Sequence, residues 1–90
     1  MALTQFAITN ARPEDKPYKL SDGDGLHLLV KPGGSKLWRF RYRFRNVEKM
    51  LSLGAYPAVS LANAREKRNE ARKLLAAGTD PSRQIGRAHV

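Results

Sequence analysis

From Lys36 to Arg45 the chain alternates: Trp38, Phe40, Tyr42 and Phe44 interleave with Arg39, Arg41, Arg43 and Arg45. A period of two predicts a strand with one buried and one solvent-facing side. Leu26, Leu28 and Val30 mark a second strand over residues 26–31, and Leu51 and Leu53 a third over 47–53. Pro32-Gly33-Gly34-Ser35 and Asn46 supply turn chemistry between them, so the three strands are expected to form an antiparallel meander.

The period changes on either side of these strands. Leu61, Ala64, Ala71, Leu74 and Leu75 recur at helical spacing, with Ser60 as N-cap and Gly78 and Pro81 as the stop, which predicts a helix from 61 to about 77. Thr4 caps a short helix that must end before Pro13. Residues 12–17 read as a polar surface loop, and Ser21-Asp22-Gly23-Asp24-Gly25 as a turn. The expected fold is α+β: a three-stranded antiparallel sheet packed on one long C-terminal helix, with a short N-terminal helix, in a domain spanning 1–82. Residues 83–90 continue no pattern and are expected to be a linker start and a non-native tail. Ile85–Val90 can be encoded by a stretch of a widely used sequencing adapter, so the natural sequence is expected to stop near Gln84, at the front of a longer protein.

Charge then narrows the class of partner. The 90 residues carry 17 Lys and Arg against 8 Asp and Glu, a net charge of +9. The hydrophobic fraction, 41%, is enough for one modest core, so the chain is not a disordered basic tail. A charge of this size speaks to partners, with nucleic acid ahead of an anionic membrane surface. No run approaches the ~18 apolar residues of a membrane span, and the first residues lack the features of a signal peptide. A cytoplasmic location and no membrane partner are the expectation.

The excess is local. From Lys31 to Lys49 there are seven basic residues and one acidic residue, Glu48. Burying the aromatic side of the central strand, at ~1.5–3 kcal/mol per large side chain, forces the arginines onto the other side. There they lie ~7 Å apart and repel unless a polyanion faces them. Such a face suits the DNA major groove, where arginine can bond guanine O6 and N7. His27, Leu29, Lys31, Met50 and Ser52 are expected to join it, adding polar groups and apolar contacts for thymine methyls. Lys36 and Lys49, near strand ends, are candidates for phosphate contacts. The basic helix residues Arg65, Lys67, Arg68, Arg72 and Lys73 are assigned to a solvated exterior, with phosphate contact by some of them as the alternative. Two rivals remain: an RNA-binding module, which would need exposed aromatics for stacking, and a protein-interaction module.

Catalytic chemistry is not in view. The chain has no cysteine, no GxSxG setting and no phosphate loop. Asp22-Gly23-Asp24-Gly25 resembles part of a calcium loop but lacks the remaining oxygen ligands at their spacing. No cofactor or metal is expected, and the chain is not expected to be an enzyme.

Several blocks occur together: Lys16-Pro17-Tyr18-Lys19-Leu20-Ser21-Asp22-Gly23, Gly25-Leu26-His27-Leu28-Leu29-Val30, Ser35-Lys36-Leu37-Trp38-Arg39-Phe40-Arg41-Tyr42-Arg43-Phe44, Leu51-Ser52-Leu53-Gly54-Ala55-Tyr56-Pro57 and Ser60-Leu61-Ala62-Asn63-Ala64-Arg65. In this order they resemble the N-terminal arm-type DNA-binding domain of phage P4-like integrases, tyrosine recombinases of prophages and genomic islands, from about residue 3 to residue 82. The resemblance implies that a three-stranded sheet enters the major groove of arm sites flanking a recombination site, with Arg39, Arg41 and Arg43 at the positions that meet DNA. It also implies a catalytic domain, with its tyrosine and arginine–histidine cluster, that this chain lacks, and self-association through other domains. Two departures stand out: Asn63 replaces a common acidic residue, weakening a capping box, and His27 replaces a common tyrosine.

Overall fold

A computed structural model describes residues 3–83. The tail expected to be non-native lies outside the described residues, apart from the start of the linker. Helix α1 (Gln5–Asn10) precedes four strands, β1 (Tyr18–Gly23), β2 (Leu26–Val30), β3 (Lys36–Phe44) and β4 (Val47–Tyr56), followed by helix α2 (Leu61–Ala76) and a 3-10 turn (Pro81–Arg83). The strands form one antiparallel sheet in the order β1-β2-β3-β4.

The α+β class and the helices follow the local signals. Thr4 accepts from the Ala7 N–H and Ser60 from the Asn63 N–H, each satisfying an orphan donor of a helix start. At the end of α2, Gly78 takes a positive φ of 83°. The Thr79 N–H reaches Leu74 O at 2.8 Å and the Gly78 N–H reaches Leu75 O at 3.0 Å, the paired bonds of a Schellman stop.

The strand count is corrected from three to four. Tyr18-Lys19-Leu20-Ser21 pairs with β2 at the sheet edge, with Tyr18 and Leu20 half-buried and Lys19 and Ser21 exposed. Its alternation spans only a few residues between Pro17 and a glycine-rich turn, too short to register as a strand by periodicity. Asp24 and Gly25, with φ of 53° and 89°, connect it to β2, and Arg45 and Asn46, with φ of 51° and 65°, connect β3 to β4. Positive φ at both central residues is what a tight hairpin turn matched to strand twist requires. Arg45 therefore belongs to a turn, and β3 ends one residue earlier than its alternation suggests.

Both helices lie on one side of the sheet. Trp38, Phe40 and Tyr42 of β3, Leu26, Leu28 and Val30 of β2, and Leu51 and Leu53 of β4 are buried there with Ile8, Leu61, Ala64 and Ala71. The Trp38 indole N–H donates to Val59 O at 2.7 Å, so the buried ring keeps its polar atom satisfied. A bulge opposite Trp38 and Arg39 lets β4 shift phase, after which Gly54 faces Trp38. A Cβ on Gly54 would come within 2.5 Å of Val59 Cγ2, so the loop into α2 closes over the core only because that position is bare.

Candidate nucleic-acid interface

With the helices and the aromatics on one side, the residues between them face the other. The register aligns them in cross-strand rows. Ser21, His27, Arg39 and Ser52 form one row from β1 to β4, and Lys19, Leu29, Leu37 and Ala55 form the next. Arg41 stands opposite Met50, and Arg43 opposite Glu48. The face thus carries Lys19, Arg39, Arg41 and Arg43 against one carboxylate, Glu48, which takes the Arg41 Nε–H at 3.0 Å. That pair is more than half exposed on both sides, where solvent screening leaves it weak. Arg41, Arg43, Met50 and Ser52 are exposed, and Arg39 and Leu29 are half-buried. The Arg39 Nε is shielded from solvent and, among the described residues, has no hydrogen-bond partner.

His27 shares this face but does not project from it: only 6% of its surface is accessible. Burial lowers its pKa below the ordinary value, and the cations of Lys19, Arg39 and Arg41 push the same way. The ring is a neutral floor beneath basic side chains, where the sequence suggested a projecting contact. Lys19, Ser21, Gly23, Gly25, His27 and Arg41 line a notch of about 210 Å³ at this end of the face.

Four other candidate residues are not brought into the rows. Lys36 and Lys49 pair in register with Tyr56 and Tyr42, on the helix side. Lys36 Nζ donates to Ile8 O at 2.8 Å, and Lys49 Nζ is bonded to Asp80. Lys36 lies two residues from buried Trp38 and Lys49 two from buried Leu51, so the alternation that exposes the arginines turns these lysines inward. Arg45 sits in the hairpin turn, exposed, with its guanidinium 5.1 Å from the Phe44 ring centroid. Lys31 is exposed just past the end of β2.

Nor does α2 expose all of its basic residues. Arg65 and Arg68 grip the buried Asp22 carboxylate at 2.8 and 2.9 Å, and Arg72 reaches Asp24 at 3.3 Å. Both aspartates of the calcium-like segment are therefore ion-paired to arginine. Hydrogen bonds from Arg65 hold Asp22 below the usual carboxylate range against the opposing effect of burial. Asp80 is lowered further, by Lys49 first and then by the Tyr42 hydroxyl and Ser82. These acids neutralise cations on the helix side and leave Glu48 as the one carboxylate paired on the sheet face among the described residues.

Residues 3–88 match the family described as the arm DNA-binding domain. The chain belongs to the arm DNA-binding domain family. It is 49% identical over 84 residues to prophage integrase IntZ of Escherichia coli strain K12, covering 91% of this chain and 21% of that protein. It is 54% identical over 82 residues to prophage integrase IntA of the same strain, covering 88% and 20%, and 48% identical over 83 residues to the integrase of Enterobacteria phage P4, covering 90% and 19%. The chain spans about a fifth of the length of these relatives.

In this arm DNA-binding domain, sequence periodicity located the arginine column and its neighbours but missed Lys19, Ser21, Leu37 and Ala55. Lys19 and Ser21 were lost with β1 itself. The signal that could have found them is the Tyr18/Leu20 alternation immediately before an Asp-Gly turn. Among the described residues no helix is long and apolar enough to cross a membrane.

Proposed function

We propose that the helix-free face of the sheet enters the major groove of double-stranded DNA at arm-type sites, within the N-terminal domain of a tyrosine recombinase that integrates and excises a prophage or genomic island. The observation that carries this is the single column of Arg39, Arg41 and Arg43 on a face without helices, flanked by Ser52 and Met50. Strands lie ~4.8 Å apart, so β2, β3 and β4 together span ~10 Å between outer strand axes. That fits a groove ~12 Å wide. Arginine forks there can bond guanine edges, Ser52 can bond either kind of base, and Met50 can touch thymine methyls.

Single-stranded RNA fits less well. None of the outer-face positions is Phe, Tyr or Trp, so the face lacks the aromatic platform on which RNA modules stack bases. The parent protein would act in the bacterial cytoplasm, with strand cleavage and self-association supplied by domains beyond this one.

Arg41→Ala tests the base-reading role. Its affinity for an arm-site duplex should fall more than its affinity for a random duplex, by roughly 1–3 kcal/mol for a lost bidentate contact. Equal losses on both duplexes would mean that Arg41 contacts only the backbone.

A further inference from the structure

Strand β1 adds a fourth column to the sheet, and groove dimensions give that column a different task. From β4 to β1 there are three strand spacings, ~14 Å at ~4.8 Å each, more than the ~12 Å width of the major groove. A sheet centred in the groove on its arginine column therefore carries β1 to the groove wall, where phosphates and sugars stand. The outward side chains there are Lys19 and Ser21, a cation and a hydroxyl.

They border the notch of about 210 Å³ shared with Gly23, Gly25, His27 and Arg41. Both carboxylates of the adjoining segment are turned away, Asp22 to Arg65 and Arg68 and Asp24 to Arg72. Among the described residues Lys19 makes no ion pair, and the one ion pair of Arg41 is the exposed contact with Glu48. The tight turn keeps the notch in shape: Arg41 N–H donates to Gly25 O at 2.8 Å, an approach so close that a Cβ on Gly25 would lie 2.3 Å from Arg41 O.

We propose that this notch is a phosphate seat, in which Lys19 and Ser21 hold one backbone phosphate of the bound duplex and fix the sheet's register in the groove, while Arg41 borders the notch from β3. The seat rests on the sheet-face reading above and extends it to a residue pair on β1. His27 forms the floor. Burial disfavours its charged form, and the cations bordering the notch are Lys19 and Arg41. An anion between Lys19 and Arg41 relieves the repulsion among Lys19, Arg39 and Arg41.

The test is the salt dependence of binding to a mixed-sequence 20-base-pair duplex by the whole chain and five variants. Lys19→Ala should weaken binding roughly tenfold at 0.1 M salt, as for a lost charged hydrogen bond. It should also flatten the log–log salt slope by about 0.9, the loss of one neutralised phosphate. Lys19→Arg should restore the slope. Ser21→Ala should weaken binding without changing the slope. Lys73→Ala removes an equal charge from the exposed helix side and should leave the wild-type slope. If Lys19→Ala matches Lys73→Ala while Arg41→Ala loses affinity, the face binds DNA and the phosphate seat is wrong. If the wild-type chain shows no salt-dependent duplex binding, the sheet-face reading fails, and the seat with it.

Discussion

Arg65 embraces Asp22 with two donors, Nε to Oδ2 at 3.1 Å and Nη2 to Oδ1 at 2.8 Å, and the same Nη2 reaches Leu3 O at 2.7 Å. Arg68 adds a bond to Oδ2, and the Leu3 N–H donates to Oδ1. One buried carboxylate thus ties the N-terminal segment, the edge strand β1 and the helix α2 together. Removing one partner of such a cluster strands the others in poor solvent, at roughly 3–5 kcal/mol for a fully buried pair. Asp22→Asn should destabilise toward the lower end of that range, because Arg65 is partly exposed and can turn to water. Arg72→Ala breaks a pair more than half exposed on both sides and should cost under about 1 kcal/mol. Urea titrations of both variants check the contrast. A cost for Asp22→Asn no larger than for Arg72→Ala would remove the clamp from the stability of the fold.

Acid should lower the stability of the domain in two stages. The folded His27 pKa lies below the ordinary 6.5, so the protein favours its neutral form. That contribution is present above pH 6.5 and is lost as pH falls through the folded value. Asp22 and Asp80 lie below the ordinary 3.8, so their contributions are present above 3.8 and are lost as pH falls through their depressed values. Unfolding free energy measured against pH should therefore begin to drop just below 6.5 and fall again below 3.8. His27→Gln should abolish the first step, and Asp80→Asn should reduce the second.

The sequence made the arginine column legible because Trp38, Phe40, Tyr42 and Phe44 leave their intervening residues only one place to go. The same rule, followed to its ends, also assigns Lys36 and Lys49 to the helix side, but a lysine near a strand end reads as surface whichever way it points. Lys36 and Lys49 find acceptors in Ile8 O and Asp80 that no periodicity reveals, since both partners are distant in sequence. Strand β1 was hidden for a different reason. Its inward positions, Tyr18, Leu20 and Asp22, include a carboxylate, and an inward aspartate looks like a turn residue until Arg65 and Arg68 arrive from α2. Tertiary polar partners, invisible along the chain, decided both cases.

Two glycines with positive φ should respond differently to alanine. Gly25 has φ 89°, and a Cβ there collides with the Arg41 backbone oxygen; Gly78 has φ 83° but opens into empty space. Gly78→Ala should cost only the left-handed backbone term, about 1 kcal/mol. Gly25→Ala should cost distinctly more, because the β1–β2 turn must also move away from β3. Comparable midpoints in thermal unfolding would show that the turn yields freely.

The β3–β4 turn offers a cleaner probe, since Asn46 holds φ 65° with its side chain exposed. Asn46→Val places a β-branched residue in the left-handed region and should lose roughly 1–2 kcal/mol. Asn46→Gly should be neutral or slightly stabilising. Chemical denaturation distinguishes the two, and a harmless valine would mean that the turn adopts another geometry.

Under the proposed function the arginine face selects DNA by sequence. The decisive measurement is to let the purified chain enrich binders from a pool of random duplexes at near-physiological salt. The expected result is an enriched motif with guanines at the positions reached by Arg39, Arg41 and Arg43, its affinity reduced by Arg41→Ala. Salt-dependent binding with no enriched motif would contradict it, and would leave the face as a general grip on phosphates.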